Sequence, residues 1–188
     1  MPLKLDVSTG DIITPHAVRY EYKLLLENRT IQVMSYNLET VLSEKLQTVL
    51  SRSVFNTRMR DLYDLKMLSD TYSSAIDDSV LKQAYRATLM QRNTINLNRN
   101  RNQIIHEIEN DTSMKNKWSV YQTKYSYAEN ISYNDVISSI KSLLKRCQSF
   151  NHNENQSAMP YKWFPLNHSN PPTWIEESYS VILAAYFL

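Results

Sequence analysis

The chain has 188 residues, 42% of them hydrophobic and 21% charged, and a formal net charge of +2. That size and balance suit one soluble globular domain with room for an appendage and exclude a disordered chain. A charge so close to zero gives no electrostatic case for nucleic acid or a membrane surface as partner. One cysteine, Cys147, excludes an internal disulfide and fits a reducing cytoplasm, and the opening residues MPLKLDVSTGD lack the apolar run of a secretory signal. Gly10 is the single glycine, where an average chain of this length carries roughly 13. Glycine-rich phosphate loops of the Walker and dinucleotide types are therefore absent, because each needs several glycines to bring backbone close to phosphate. No HExxH or CxxC occurs, so no dedicated zinc site is visible. Any nucleotide must be held by side chains and metal ions.

In chain order, LKLDVS over residues 3–8 alternates, with Leu3, Leu5 and Val7 on one face and Lys4, Asp6 and Ser8 on the other, as a half-buried strand does. Thr9-Gly10-Asp11 reads as a turn. Residues 17–25 and 30–36 read as two more strands, with Glu27-Asn28-Arg29 as the hairpin turn. From Asn37 the pattern becomes helical. Asn37 caps a helix over 38–52, Thr57 a second over 57–70, and Asp77 or Asp78 a third over 77–92 with Val80, Leu81, Ala84 and Leu89 inward. Segment 94–125 is polar, but Ile104, Ile105, Ile108, Trp118, Tyr121 and Tyr125 keep helical spacing. Ser132 opens a last helix over 133–148, with Val136, Ile137, Ile140, Leu143 and Leu144 on one side. Residues 151–174 hold four of the six prolines and read as a linker or extended arm; 175–188 ends apolar but is too short for the ~20 residues of a bilayer span. The expected organisation is three parts: terminal strands of a sheet over 1–36, a helical bundle over 37–150, and a linker or extended tail over 151–188 that reads as foreign to the fold. No repeat is apparent, and most of the thirteen tyrosines read as packing residues rather than base-stacking platforms.

Two helices carry charges on faces that should be apolar. Lys45 interrupts the stripe Leu38, Val41, Leu42, Leu46, Val49, Leu50, and Asp61 sits four and seven residues before Leu65 and Leu68. Arg58, Arg60 and Asp64 flank Asp61, and Asp6 places a carboxylate on the polar face of the first strand. A sheet carboxylate, a helix lysine and helix arginines are the parts that hold Mg²⁺ and a triphosphate: the metal polarises the α-phosphate and the lysine neutralises the leaving pyrophosphate. Two blander readings stay open. Lys45 can snorkel past its neighbours, or a Lys45–Asp61 ion pair can simply pin two helices. Asp64 reads as structural, bonding to an arginine. His16, His106, His152 and His168 are scattered singly and do not read as ligands; the NLNRNRNQ run at 96–103 reads as a solvated face sooner than an RNA contact; Cys147 reads as inert.

The stretches LKLDVSTGDIITP, YNLETVLSEKLQTVLSRSVFNTRMRDLYDL and WSVYQTKYSYAENISYNDVISSI resemble the AbiEii family of nucleotidyltransferase toxins, the toxin halves of bacterial abortive-infection toxin–antitoxin pairs used in phage defence and related to the MenT toxins. The resemblance covers roughly residues 3–146, and its most specific part is the lysine of E-K-L followed by R-x-[KR]-D-x-x-D-L. It implies an α+β fold: the remnant of a polymerase-β-like nucleotidyltransferase sheet followed by a C-terminal helical bundle. It implies transfer of a nucleotide from an NTP to an acceptor such as tRNA, with Mg²⁺ as cofactor, a cognate antitoxin as partner and a cytoplasmic location away from any membrane. By position, Lys45 resembles the family's nucleotide-contacting lysine, Asp61 its last-motif aspartate, and Arg58 and Arg60 that motif's basic residues. Asp6 resembles the third, metal-binding carboxylate of the sheet.

The family also opens with a G-[ST] motif and a D-x-D pair that binds the metals. Here Gly10 is followed by Asp11 and no D-x-D occurs; Glu107-Ile108-Glu109 has the spacing but falls in an expected helix, where i and i+2 do not face each other. The expectation is the C-terminal part of such an enzyme, with little activity alone. It would be completed by a separate chain bearing the missing motif, or else be a non-catalytic remnant or binding module that engages antitoxin or RNA.

Overall fold

The computed structural model describes residues 11–24 and 26–148. The strand expected over 3–8, with Asp6, and the tail from residue 151 lie outside the described residues. Those described fall into two compact units: the segment Ala17–Tyr36, and a helical unit made of residues 11–16 with 37–148.

The first unit is a β-hairpin. Strands β1 (Val18–Lys23) and β2 (Thr30–Ser35) pair antiparallel, with Val18 opposite Ser35 and Lys23 opposite Thr30. The Leu24 N–H donates to the Arg29 carbonyl at 3.0 Å and closes the loop, in which the expected turn residues Glu27 and Arg29 form an ion pair at 3.2 Å.

The helical unit begins with α1 (Leu38–Arg52), capped as its sequence requires: Asn37 Oδ1 accepts the Thr40 N–H at 3.1 Å. The same asparagine donates to the Thr14 carbonyl at 2.6 Å, and the Thr14 N–H donates to Thr40 Oγ1 at 3.1 Å, so residues 11–16 are tied to the start of α1. A 3₁₀ turn at Ser53–Phe55 follows, then α2 (Met59–Thr71). Thr57 does not cap α2. The turn displaces the helix start by two residues, so Arg58 takes the cap position without a side-chain bond, and the fully buried Asn56 fixes the approach, its Oδ1 accepting the Arg58 N–H at 2.9 Å. Helix α3 (Asp78–Gln91) is capped by Asp77, which accepts the Ser79 and Val80 N–H groups at 2.7 and 3.2 Å. Its buried face is Leu81, Ala84, Tyr85, Thr88 and Leu89; Val80, in the first turn, is only half-buried.

The end of α3 shows how a chain with one glycine stops a helix. Asn93 adopts φ 51°, the left-handed conformation. The Thr94 N–H then donates to the Leu89 carbonyl at 2.8 Å and the Asn93 N–H to the Met90 carbonyl at 3.0 Å, the paired bonds of a Schellman cap with asparagine in the glycine position. Segment 94–125 is two helices, α4 (Ile95–Asn110) and α5 (Thr112–Lys124). Asp111 divides them by leaving helical geometry (φ −70°, ψ 122°) and accepting the Met114 N–H at 2.7 Å as the cap of α5. Helix α6 (Tyr133–Arg146) is capped by Ser132 and buries all five residues of its expected stripe.

Helix α1 packs chiefly on α3 and α2, and α2 on α6. The core between them includes Leu42, Leu46, Leu62, Leu65, Leu81 and Ile137, each fully buried and each stabilising the fold by roughly 1.5–3 kcal/mol through transfer from water. Polar ends find partners across elements. Trp118 Nε1 donates to the Ile131 carbonyl at 3.0 Å, Tyr133 Oη to that of Ile108 at 2.8 Å, and Lys117 Nζ to those of Val54 and Asn56 at 3.2 and 3.3 Å. The described fold is mostly helical with a small two-stranded antiparallel sheet, compatible with α+β. Among the described residues no helix is long and apolar enough to cross a membrane.

Candidate functional site

The two inward-facing charges meet. Lys45 projects from α1 into α2, where its Nζ donates to Asp61 Oδ1 at 3.0 Å and to Asp64 Oδ2 at 2.7 Å. Asp61 and Asp64 lie three residues apart, so one helix face carries both. Lys45 is 6% exposed and Asp61 8%; Asp64 keeps 19% of its side-chain surface. Asp64 is thus held mainly by Lys45, because it shares the α2 face that meets α1. An arginine, Arg60, stands only at the margin, its Nε 3.9 Å from Asp64 Oδ2 with 43% of its side chain exposed. Arg58 is exposed at the start of α2, outside this cluster. Two cations and two carboxylates balance, and the cluster opens to solvent on the Asp64–Arg60 side.

A second polar layer sits on the α3 side of α1. Glu44 is bonded to Arg92 and accepts from Thr88 Oγ1 at 3.1 Å. Arg92 Nη1 donates to Gln47 Oε1 at 3.0 Å, and its Nη2 lies 4.0 Å from Asp11 Oδ1. Burial raises the Glu44 carboxyl above its ordinary value, against the opposing pull of Arg92. No local pattern singles out Arg92, whose partners are 45 and 48 residues away in the chain.

The described residues do not by themselves fit a metal ion. Among the described residues no group of three histidines, cysteines, aspartates or glutamates could hold one. Asp61 and Asp64 address an ammonium, and Asp6 lies outside the described residues. His16 and His106 are exposed and join no such group. Of the arginines in the 96–103 run, Arg99 is exposed, whereas Arg101 is half-buried with its Nε out of solvent and folds back onto Asn98, Nη1 to Oδ1 at 3.1 Å. Cys147 is buried, and burial pushes its thiol up to about 12, far from the thiolate state that reaction requires.

Beside Asp64 the structure gathers aromatic rings that were not expected to act together. Tyr63 of α2 lies 4.8 Å, centroid to centroid, from Tyr127, in the 3₁₀ turn Ser126–Ala128. Tyr127 lies 5.4 Å from Tyr125 at 28° between planes, and Tyr121 lies 4.7 Å from Tyr125 and 5.5 Å from Trp118. Tyr121 and Tyr127 share a hydroxyl contact at 3.0 Å. Burial raises the Tyr63 and Tyr121 phenols above their ordinary value; Tyr127 and the Asp64 carboxylate add to it and Arg60 opposes it. The spacing of 121 and 125 suggested packing; the contribution of Tyr63 depends on the α2–α5 contact, which no local pattern shows.

The family described as nucleotidyl transferase AbiEii toxin, type IV toxin–antitoxin system, matches residues 1–145. No curated protein and no solved structure matches the chain. The match takes in Lys45, Asp61, Asp64, Arg60 and the whole aromatic group, and spans more than three-quarters of the sequence. The chain belongs to the AbiEii family of nucleotidyltransferase toxins of type IV toxin–antitoxin systems.

Proposed function

We propose that the Lys45–Asp61–Asp64–Arg60 cluster handles the polyphosphate of an NTP in a reaction that transfers a nucleotide to an acceptor such as tRNA. The carrying observation is the buried Lys45 held between two α2 carboxylates, at the positions where E-K-L and R-x-R-D-x-x-D-L stand in the sequence. In such a transfer an acceptor oxygen bonds to the α-phosphorus while the bond to the β-phosphate oxygen breaks, and pyrophosphate leaves with the electron pair. A lysine fixed by two carboxylates loses little freedom when it meets that developing charge. Asp61 and Asp64 orient the ammonium, and Arg60, at the open margin, meets phosphate oxygens. Asp6 and Arg58 are assigned metal and nucleotide contact by family position. Family membership implies a cognate antitoxin partner. The polymerase-β-like ancestry of the sheet is part of the same proposal.

These 188 residues contain neither G-[ST] nor D-x-D, so we infer weak transfer by this polypeptide alone and recovery when a second polypeptide bearing both motifs is added. Isothermal titration with GTP, CTP, ATP and UTP in the presence of Mg²⁺ tests the site: one NTP should bind, and Lys45→Ala should abolish the heat. The second reading is a non-catalytic module engaging antitoxin or RNA. The observation favouring it is that Lys45 already satisfies two carboxylates, as a helix clamp does; no heat with any NTP selects it.

A further inference from the structure

We propose that Phe55 of one copy of this chain seats in a hollow on the β-hairpin of a second copy, so that copies associate head to tail. Phe55 ends the 3₁₀ turn between α1 and α2 and is 83% exposed. The turn does not leave the ring free to fold away. Ser53 opens it at φ 46°, ψ −135°, backbone that glycine enters freely and other residues adopt under strain. The Asn56 N–H closes it on the Ser53 carbonyl at 3.1 Å. Lys117 Nζ holds the carbonyls on either side of Phe55, those of Val54 and Asn56, at 3.2 and 3.3 Å. Strain of this kind persists only where the surroundings over-determine it, and here it keeps a large apolar side chain in water. A ring fixed before contact loses little freedom when a pocket covers it. The exposed Arg52 and Arg58 stand three residues to either side, and neither is ion-paired to a described residue. Such a knob fits an apolar hollow with an acidic rim.

The hairpin carries one. Tyr22, Leu24, Leu26 and Glu27 line an open hollow of about 320 Å³, where a cavity of about 150 Å³ already admits benzene. Leu26 is 99% exposed, and the Glu27 carboxylate at the rim is mostly in solvent. Its exposed pair with Arg29 is worth little, and a carboxylate has lone pairs to spare for a second guanidinium. No residue of β1 or β2 is buried, and a two-stranded hairpin alone is marginal in water, so a cover on this unit stabilises it. With a net charge of only +2, copies repel one another weakly. Knob and hollow lie on different elements, so the contact is heterologous and each copy offers one of each. A nucleic acid would use the arginines and one face of the ring; a ring open nearly all round suits a concavity. The contact needs no nucleotide and stands apart from the transfer reading.

The test is sedimentation velocity of the full chain over a wide concentration range, without nucleotide. The mass should rise with concentration. Phe55→Ser should weaken association roughly 30-fold, as loss of a buried aromatic anchor does, and Leu26→Ser should do the same from the other side. Both side chains are exposed, so far-UV circular dichroism of each variant should match the parent. Glu27→Arg, which sets like charges together, should weaken association roughly tenfold. An equimolar mixture of Phe55→Ser and Leu26→Ser decides the geometry: one retains only the hollow and the other only the knob, so they should form one-to-one pairs and nothing larger. A monomer at every concentration overturns the proposal and gives Phe55 to a different partner. Undiminished association by a folded Phe55→Ser overturns it, and so does a mixture that stays monomeric or grows beyond pairs.

Discussion

Lys45 and Asp61 meet at 3.0 Å across the α1–α2 contact, each more than nine-tenths buried. Two charges removed from water in this way repay their desolvation only while both are present. Lys45→Ala strands two carboxylates against an apolar helix and should cost about 3–5 kcal/mol in urea unfolding. Lys45→Met combined with Asp61→Leu and Asp64→Asn should recover most of that loss, because the apolar pair carries no desolvation penalty and no carboxylate is left without its cation. If the cluster serves nucleotide, the repaired variant is stable yet binds no NTP; NTP binding by the repaired variant would reduce the pair to helix packing.

Alkaline pH should unfold the protein cooperatively. Burial raises the Cys147 thiol from 9.0 to about 12, and burial likewise raises the Tyr85 and Tyr133 phenols above 10.0. Below pH 9 all three are protonated in both states and cost nothing. Above it the unfolded chain releases protons that the folded chain retains, so the folded state binds more and stability falls as pH rises. Each group adds a slope of about 1.4 kcal/mol per pH unit within its window. Urea midpoints across this range should fall steeply, and Cys147→Ala should flatten the first part of the decline.

Glu44 and Arg92 should respond unequally to mutation. Arg92→Ala leaves the half-buried Glu44 carboxylate without its cation and Gln47 without a donor, at a cost of about 2 kcal/mol or more. Glu44→Gln keeps a hydrogen-bonding group and removes the charge that burial disfavours, so thermal unfolding should move little. The sign follows from the raised carboxyl: this group's contribution is fullest below its ordinary value of 4.5 and is lost as pH rises through its folded value.

Asn93 should accept glycine and reject a branched residue. At φ 51° a β-branched side chain meets the following carbonyl, so Asn93→Val should destabilise by about 1–2 kcal/mol while Asn93→Gly remains near neutral. Differential scanning calorimetry of the two variants checks the order.

What was legible in the sequence followed from local chemistry. Asn37, Asp77 and Ser132 cap helices because their side chains accept N–H groups two or three residues on, and the α6 stripe is buried because its spacing is helical. The meeting of Lys45 with Asp61 was legible because each breaks an apolar face on consecutive helices. For Asp64 only the arginine contact was legible, because Arg60 is its i,i+4 neighbour on α2; the shorter bond to Lys45 follows from the face of α2 that turns toward α1. The two-residue displacement of the α2 start and the break at Asp111 depend on backbone turns that leave no periodic trace. Arg92 and Tyr63 act through helices that meet only in three dimensions.

The reach of Lys117 to the carbonyls of Val54 and Asn56 has a reach of its own. Those carbonyls belong to the connector that decides where α2 starts, and hence at what height Asp61 and Asp64 confront α1. An amino group from a helix with no charge in that cluster thus braces the connector that leads into it. Inherited change at position 117 would detune the acidic pair without touching it, so inspection confined to the charged residues would mistake the cause.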